Sequence, residues 1–210
     1  MNGASREALA AGRERLDALT DNTSVDAARL AGELAAVTAL LDREVSLRRV
    51  LTDPAQAGEA KAELAQRLLG GQVSGETVDL LAGLVRSRWS QPRDLVDALE
   101  QLANTADLTA AQRTGTLDNV EDELFRFGRI VASSTELRAA LTNRAATASA
   151  KSELLRSLLG GRADATTERL VTRLVTAPRD VAWSRASSPC PSSPPSAGTA
   201  WSPSSPRRYR

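Results

Sequence analysis

The sequence predicts an all-α fold: two tandem homologous helical bundles followed by a disordered tail. Apolar residues recur at helical steps, while sustained period-two alternation is missing and aromatics make up only 3% of the chain. In addition, Glu33–Val85 aligns with Glu123–Val175 at an offset of 90 without a gap, with 19 of 53 positions identical. A period of 90 is too long for the short helical repeats of solenoids, so each unit reads as a small helical domain. The expected division is a first bundle over 1–107, a second, incomplete bundle over 108–180, and a Ser/Pro-rich tail over 181–210.

The periodicity inside a unit places the elements. Leu30, Leu34, Val37, Leu41 and Val45 step by four, three, four and four, which puts them on one helix face. Ala60, Leu64 and Leu68 form a second stripe, matched by Ala150, Leu154 and Leu158. Each buried Leu contributes on the order of 1.5–3 kcal/mol, so such helices need one another. The spacing predicts helices over 4–19, 24–51, 55–69, 75–89, 93–106, 109–142, 145–159 and 165–177. Pro54 suits a first helical turn capped by Asp53, and Gly70-Gly71 supplies a residue able to end a helix in the left-handed conformation. Thr109, three residues ahead of Gln112, has the spacing of a capping box.

Composition closes several chemistries. The chain has no His, and its single cysteine, Cys190, lies in the tail, so Ser-His-Asp and Cys-His nucleophiles, disulfides and most zinc sites are excluded. No catalytic residue, cofactor site or metal site is expected. The double glycines end helices and are not followed by Gly-Lys-Ser/Thr, so they are not a phosphate loop. Glu121, Asp122 and Glu123 read as a solvated helix face. The first 180 residues hold 23 basic and 26 acidic side chains, a poor match for nucleic acid. The opening stretch lacks the apolar core of a signal peptide, and no run is long enough for a membrane span, so no direct membrane insertion is expected and reducing cytoplasm is the expected compartment. Two Lys, Lys61 and Lys151, stand against 25 Arg, a bias suggesting a GC-rich coding sequence.

Comparing the two units gives the candidate interface. Leu80, Leu81, Leu84 and Val85 form one broad face, and Leu170, Val171, Leu174 and Val175 answer it. Beside that face the first unit adds Val78, Ala82 and Trp89, where the second has Glu168, Thr172 and Arg179. A core keeps its apolar character in both units, whereas a docking surface is free to diverge. Val78, Ala82 and Trp89 therefore border a groove for a partner helix, or else widen the core of the first bundle; the sequence leaves both open.

The runs LAGELAAVTALLDREVSLRRVLTDPAQAGEAKAELAQRLLGG, ETVDLLAGLVRSR and RDLVDALEQLA resemble the delta subunit of F-type ATP synthase, known in mitochondria as the oligomycin-sensitivity-conferring protein. Leu51, Pro54, Lys61 and Leu64 match that family's Leu-x-x-Pro-like turn and the Lys ahead of its Leu-rich helix. Two tandem copies resemble the enlarged delta proteins of high-GC actinobacteria. The resemblance implies a six-helix amino-terminal bundle and a mechanical, non-catalytic role. Such a stator subunit grips amino-terminal helices of the alpha subunits of the catalytic head and joins them to the b subunits of the peripheral stalk. It thereby resists rotor torque while proton flow drives ATP synthesis. The implied place is the cytoplasmic face of the cell membrane, as a peripheral part of the complex. A tandem helical adaptor unrelated to the synthase is the competing reading; a nucleic-acid binder using the Arg-rich tail is a weaker one.

After Asp180 the pattern changes. Ser and Pro make up 15 of the last 30 residues, and six of the nine prolines fall there, where the offset calls for another Leu-rich helix. The segment reads as GC-rich sequence translated out of frame from near Arg179–Val181, with a natural disordered tail as the competing reading. The family's carboxy-terminal domain, with its Gly-Gly signature and stalk contacts, has no counterpart in these residues.

Overall fold

The computed structural model describes residues 1–176, which lie within one compact unit, Met1–Pro178. They form α1 (Gly3–Asp21), α2 (Ala27–Arg43), α3 (Val45–Thr52), α4 (Gly58–Leu69), α5 (Gly75–Arg86), α6 (Pro92–Thr114), α7 (Leu117–Ser133), α8 (Thr135–Thr142), α9 (Ala148–Leu159) and α10 (Ala165–Thr176). No strand occurs among the described residues, as the all-α expectation requires. The expected disordered tail lies outside them.

Helix α6 organises the rest. Pro92 opens it, where its missing N–H costs nothing, and Gly115 closes it with φ +71°. Its 23 residues give a rod of about 34 Å. Leu95, Val96, Ala98, Leu99, Leu102, Ala103 and Ala106 on it are all fully buried. Helix α2 packs on α6 more extensively than any other pair of helices, and α1, α3, α7 and α10 also contact it. Close approach is arranged at Gly12 of α1, where a Cβ would stand 2.7 Å from Leu84 Cδ2 and 3.3 Å from Leu102 Cδ1. The expected boundary between residues 107 and 108 falls inside this helix.

Several local expectations are corrected. The stripe on α2 is buried at Leu30, Leu34, Val37 and Leu41, but Val45 is exposed because the chain breaks at Glu44. Arg48 accounts for the break: its guanidinium donates to the carbonyls of Leu41 and Asp42, satisfying groups a broken helix would orphan. Asp53 does not cap a helix over Pro54. It follows α3 and accepts the Ala55 amide in a turn, and α4 starts only at Gly58. Thr109 is no capping box, since it lies inside α6 with its hydroxyl donating to the Thr105 carbonyl. The expected helix over 109–142 is instead the end of α6 followed by α7 and α8.

On α4 the buried face is Lys61, Ala62, Ala65 and Leu69, whereas Leu68 is exposed and Leu64 half-buried. The equivalent face of α9 buries Lys151 and Leu155, and Leu158, off that face like Leu68, is exposed. The chain's two lysines are thus both buried, and desolvation pulls the Lys61 ammonium below its ordinary range against the opposing pull of Asp53. The glycine pairs behave as expected: Gly71 and Gly161 take φ +83° and +71°, a region other residues enter at a cost.

One polar pin ties α2 to α5. Glu33 Oε2 accepts the Ser74 hydroxyl at 2.6 Å, the Thr77 hydroxyl at 2.6 Å and the Ser74 amide at 2.9 Å. Ninety residues on, Glu123 Oε2 accepts the Thr167 hydroxyl at 2.6 Å and the Asp164 amide at 2.9 Å. Burial by itself raises the Glu33 carboxyl, but these bonds and that from Arg29 outweigh it and bring it from 4.5 to about 2.

Because the folded carboxyl titrates below the unfolded one, its stabilisation is complete above pH 4.5 and is lost as pH falls towards 2. Glu33→Gln is expected to lower unfolding free energy by about 1–3 kcal/mol at pH 7, with the deficit shrinking at pH 3. Urea unfolding followed by circular dichroism at the two pH values measures it; an equal deficit at both would contradict the pin.

Candidate partner interface

The three residues expected to border a groove lie on or just beyond α5. Ser74 starts this helix by accepting the Thr77 amide, and α4 packs along its flank. Ala82 is 9% exposed and Trp89 8%, both within the main hydrophobic core. The Trp89 indole N–H donates to the Leu84 carbonyl at 2.8 Å, closing the end of the helix. Val78 remains half-buried and supplies the open surface of the stripe. Geometry also shows what the stripe adjoins. Gly58, at the start of α4, stands so close to Arg86 that a Cβ would meet its Cα at 3.2 Å, and Glu59 pairs with Arg86 at 2.9 Å.

The matching seam in the second half has a different character. Where Val78 and Ala82 stand in the first half, α10 carries Glu168 and Thr172. These two, with Leu155, Arg156 and Leu159 of α9, line a cavity of about 540 Å³ that Gly32 and Ala35 of α2 also border. Arg179, the third counterpart, lies outside the described residues. The cleft is therefore a joint, with α2 on one side and the α9–α10 pair on the other.

Behind this joint lies an ion network that sequence reading missed. Asp107 of α6 is completely buried. It accepts the Arg169 guanidinium at 2.8 Å and pairs with Arg173, whose other nitrogen donates to Asn104 at 3.1 Å. Burial lowers the Arg173 pKa, and the charge of Glu100 opposes it. In the first half the related contact of α1 with α5 has reversed signs: Arg15 grips Asp79 at 2.6 Å on the surface. The available signal was a charge swap, since Asp79 aligns with Arg169 at the offset of 90.

Chemically, the arrangement offers packing surfaces and fixed charge pairs. No group of metal-ligating side chains occurs among the described residues, and no helix there is long and apolar enough to cross a membrane. The class defined is a helical protein built around shared packing faces. The family model for the ATP synthase delta (OSCP) subunit matches residues 105–181. The chain is 83% identical over 179 residues to ATP synthase subunit delta of Streptomyces coelicolor, covering 85% of this chain and 65% of that protein. It is 49% identical over 176 residues to the subunit of Frankia alni, covering 81% and 64%, and 48% identical over 179 residues to that of Thermobifida fusca, covering 85% and 66%. The chain belongs to the ATP synthase delta (OSCP) family, and its match spans just under two thirds of the length of these relatives.

Replacing Asp107 with Ala strands two guanidinium groups. A loss of about 3–5 kcal/mol is expected. Hydrogen exchange should show it first in α9 and α10, with the amides of α2 and α5 retaining protection; uniform loosening would contradict a local joint.

Proposed function

We propose that this chain is a non-catalytic stator component of an F-type proton-translocating ATP synthase. It links the catalytic head to the b subunits and resists rotor torque during proton-driven ATP synthesis. The observation that carries this is 83% identity over 179 residues to a protein named ATP synthase subunit delta. The fold supports it, because a strut needs stiffness and apolar contact area, and α6 buries its apolar stripe with helices on several sides. Absence of His from the whole chain supports a non-catalytic part. The competing adaptor reading gains nothing from the relatives.

Its partners in this proposal are amino-terminal helices of the alpha subunits and the b subunits, on the cytoplasmic face of the cell membrane without insertion into it. An alpha-subunit helix would rest beside Val78, over a floor shaped by Ala82 and Trp89. Pull-down with peptides from the alpha-subunit amino terminus tests the proposal. Capture is expected, and Val78→Glu should weaken it about tenfold or more while helicity is kept. Failure of the unaltered chain to capture any such peptide would overturn the function. Capture unaffected by Val78→Glu would overturn this placement of the contact.

A further inference from the structure

The two halves differ in what covers their second helix. In the first half, α6 packs along α2, and Ala27, Ala31 and Leu34 of α2 are all buried. Ninety residues on, α7 buries one side through Val120, Phe127 and Val131. The side answering to Ala27, Leu34 and Thr38 carries Leu117, Leu124 and Gly128. Leu117 and Leu124 are only half-buried, Gly128 is exposed, and nothing lies within 4 Å of a Cβ built on it. Phe125 borders the same side and is 66% exposed. The pattern repeats on the neighbouring helix. Leu84 is closed over where Gly12 and Leu102 meet it, whereas its counterpart Leu174 is half-buried.

What covers such a face is given by the first half: an amphipathic helix of the α6 kind, with Leu, Val and Ala at 95, 96, 99, 102 and 103. At the offset of 90, those positions are Arg185, Ala186, Pro189, Ser192 and Ser193, which do not repeat the stripe. We propose that the open side of α7, formed by Leu117, Leu124, Phe125 and Gly128, is a docking site for one amphipathic helix supplied by another polypeptide, lying on α7 as α6 lies on α2. Glu121 stands where α2 has Ala31, so the face also selects its occupant. A helix bringing a basic side chain opposite Glu121 is preferred over a purely apolar one.

The test uses the full chain and a fluorescein-labelled peptide of residues 92–114, the helix that plays this part in the first half. Fluorescence anisotropy is expected to show saturable binding. Phe125→Glu and Gly128→Arg should each weaken it about tenfold or more. Glu121→Ala should tighten it severalfold, because it restores the small residue that α2 presents to α6. The open space at Gly128 and the exposure of Phe125 let these variants fold, and circular dichroism checks it. Absence of saturable binding would overturn the proposal. So would binding that neither Phe125→Glu nor Gly128→Arg changes, which would place the peptide elsewhere, and so would dimerisation of the chain through this face in sedimentation equilibrium.

Discussion

Everything in this molecule leans on the burial of α6. An ordinary surface helix presents an apolar stripe on the order of 100° wide to the core and leaves its opposite face polar. Helix α6 instead has α1, α2 and α3 against it from the first half and α7 and α10 from the second. Its Leu95–Ala106 stretch belongs to the hydrophobic core, while Asp107, the next residue, anchors the two arginines of α10. One rod of about 34 Å therefore carries both sets of contacts, and bending it at the middle would disturb both. This makes a stiff body out of helices that are individually short.

The halves use that common rod differently. The Glu33 pin and the Glu123 pin fix α2 to the start of α5 and α7 to the start of α10 with the same kinds of donor and near-identical distances. Around those pins the packing diverges. In the first half Ala82 and Trp89 of the stripe are buried in the core, whereas the seam between α9 and α10 carries polar side chains and opens into a cavity. The leucines buried to below 2% are concentrated in the first half, with Leu141 and Leu155 the exceptions beyond α6 among the described residues.

Much of this was legible from residue spacing, and the failures share a cause. The stripe Leu30–Leu41 and the faces of α5 and α10 follow from helical period alone. The break at Glu44 does not, because the Arg48 guanidinium that makes it affordable comes from the following helix. A capping-box spacing misled at Thr109 because a mid-helix threonine can satisfy its hydroxyl on the carbonyl four residues back. On α4, period identified a helix but selected the wrong face, since Lys61 buries its stem beside Ala62 and Ala65. Trp89 illustrates the limit for the site. Spacing placed it beside the core face of α5, and only packing shows that this position lies inside the core. The Asp107–Arg169–Arg173 network joins residues more than 60 apart, a pairing that spacing along one helix cannot reveal.

Stiffness across α6 is the central claim, and a distance distribution measures it directly. With Cys190, the only cysteine, replaced by Ser, spin labels at Glu14→Cys on α1 and Arg129→Cys on α7 report the two halves by pulsed electron paramagnetic resonance. A single narrow distribution is expected. A broad or two-peaked distribution in the folded chain would mean that the halves move independently, and the shared-rod account would be wrong.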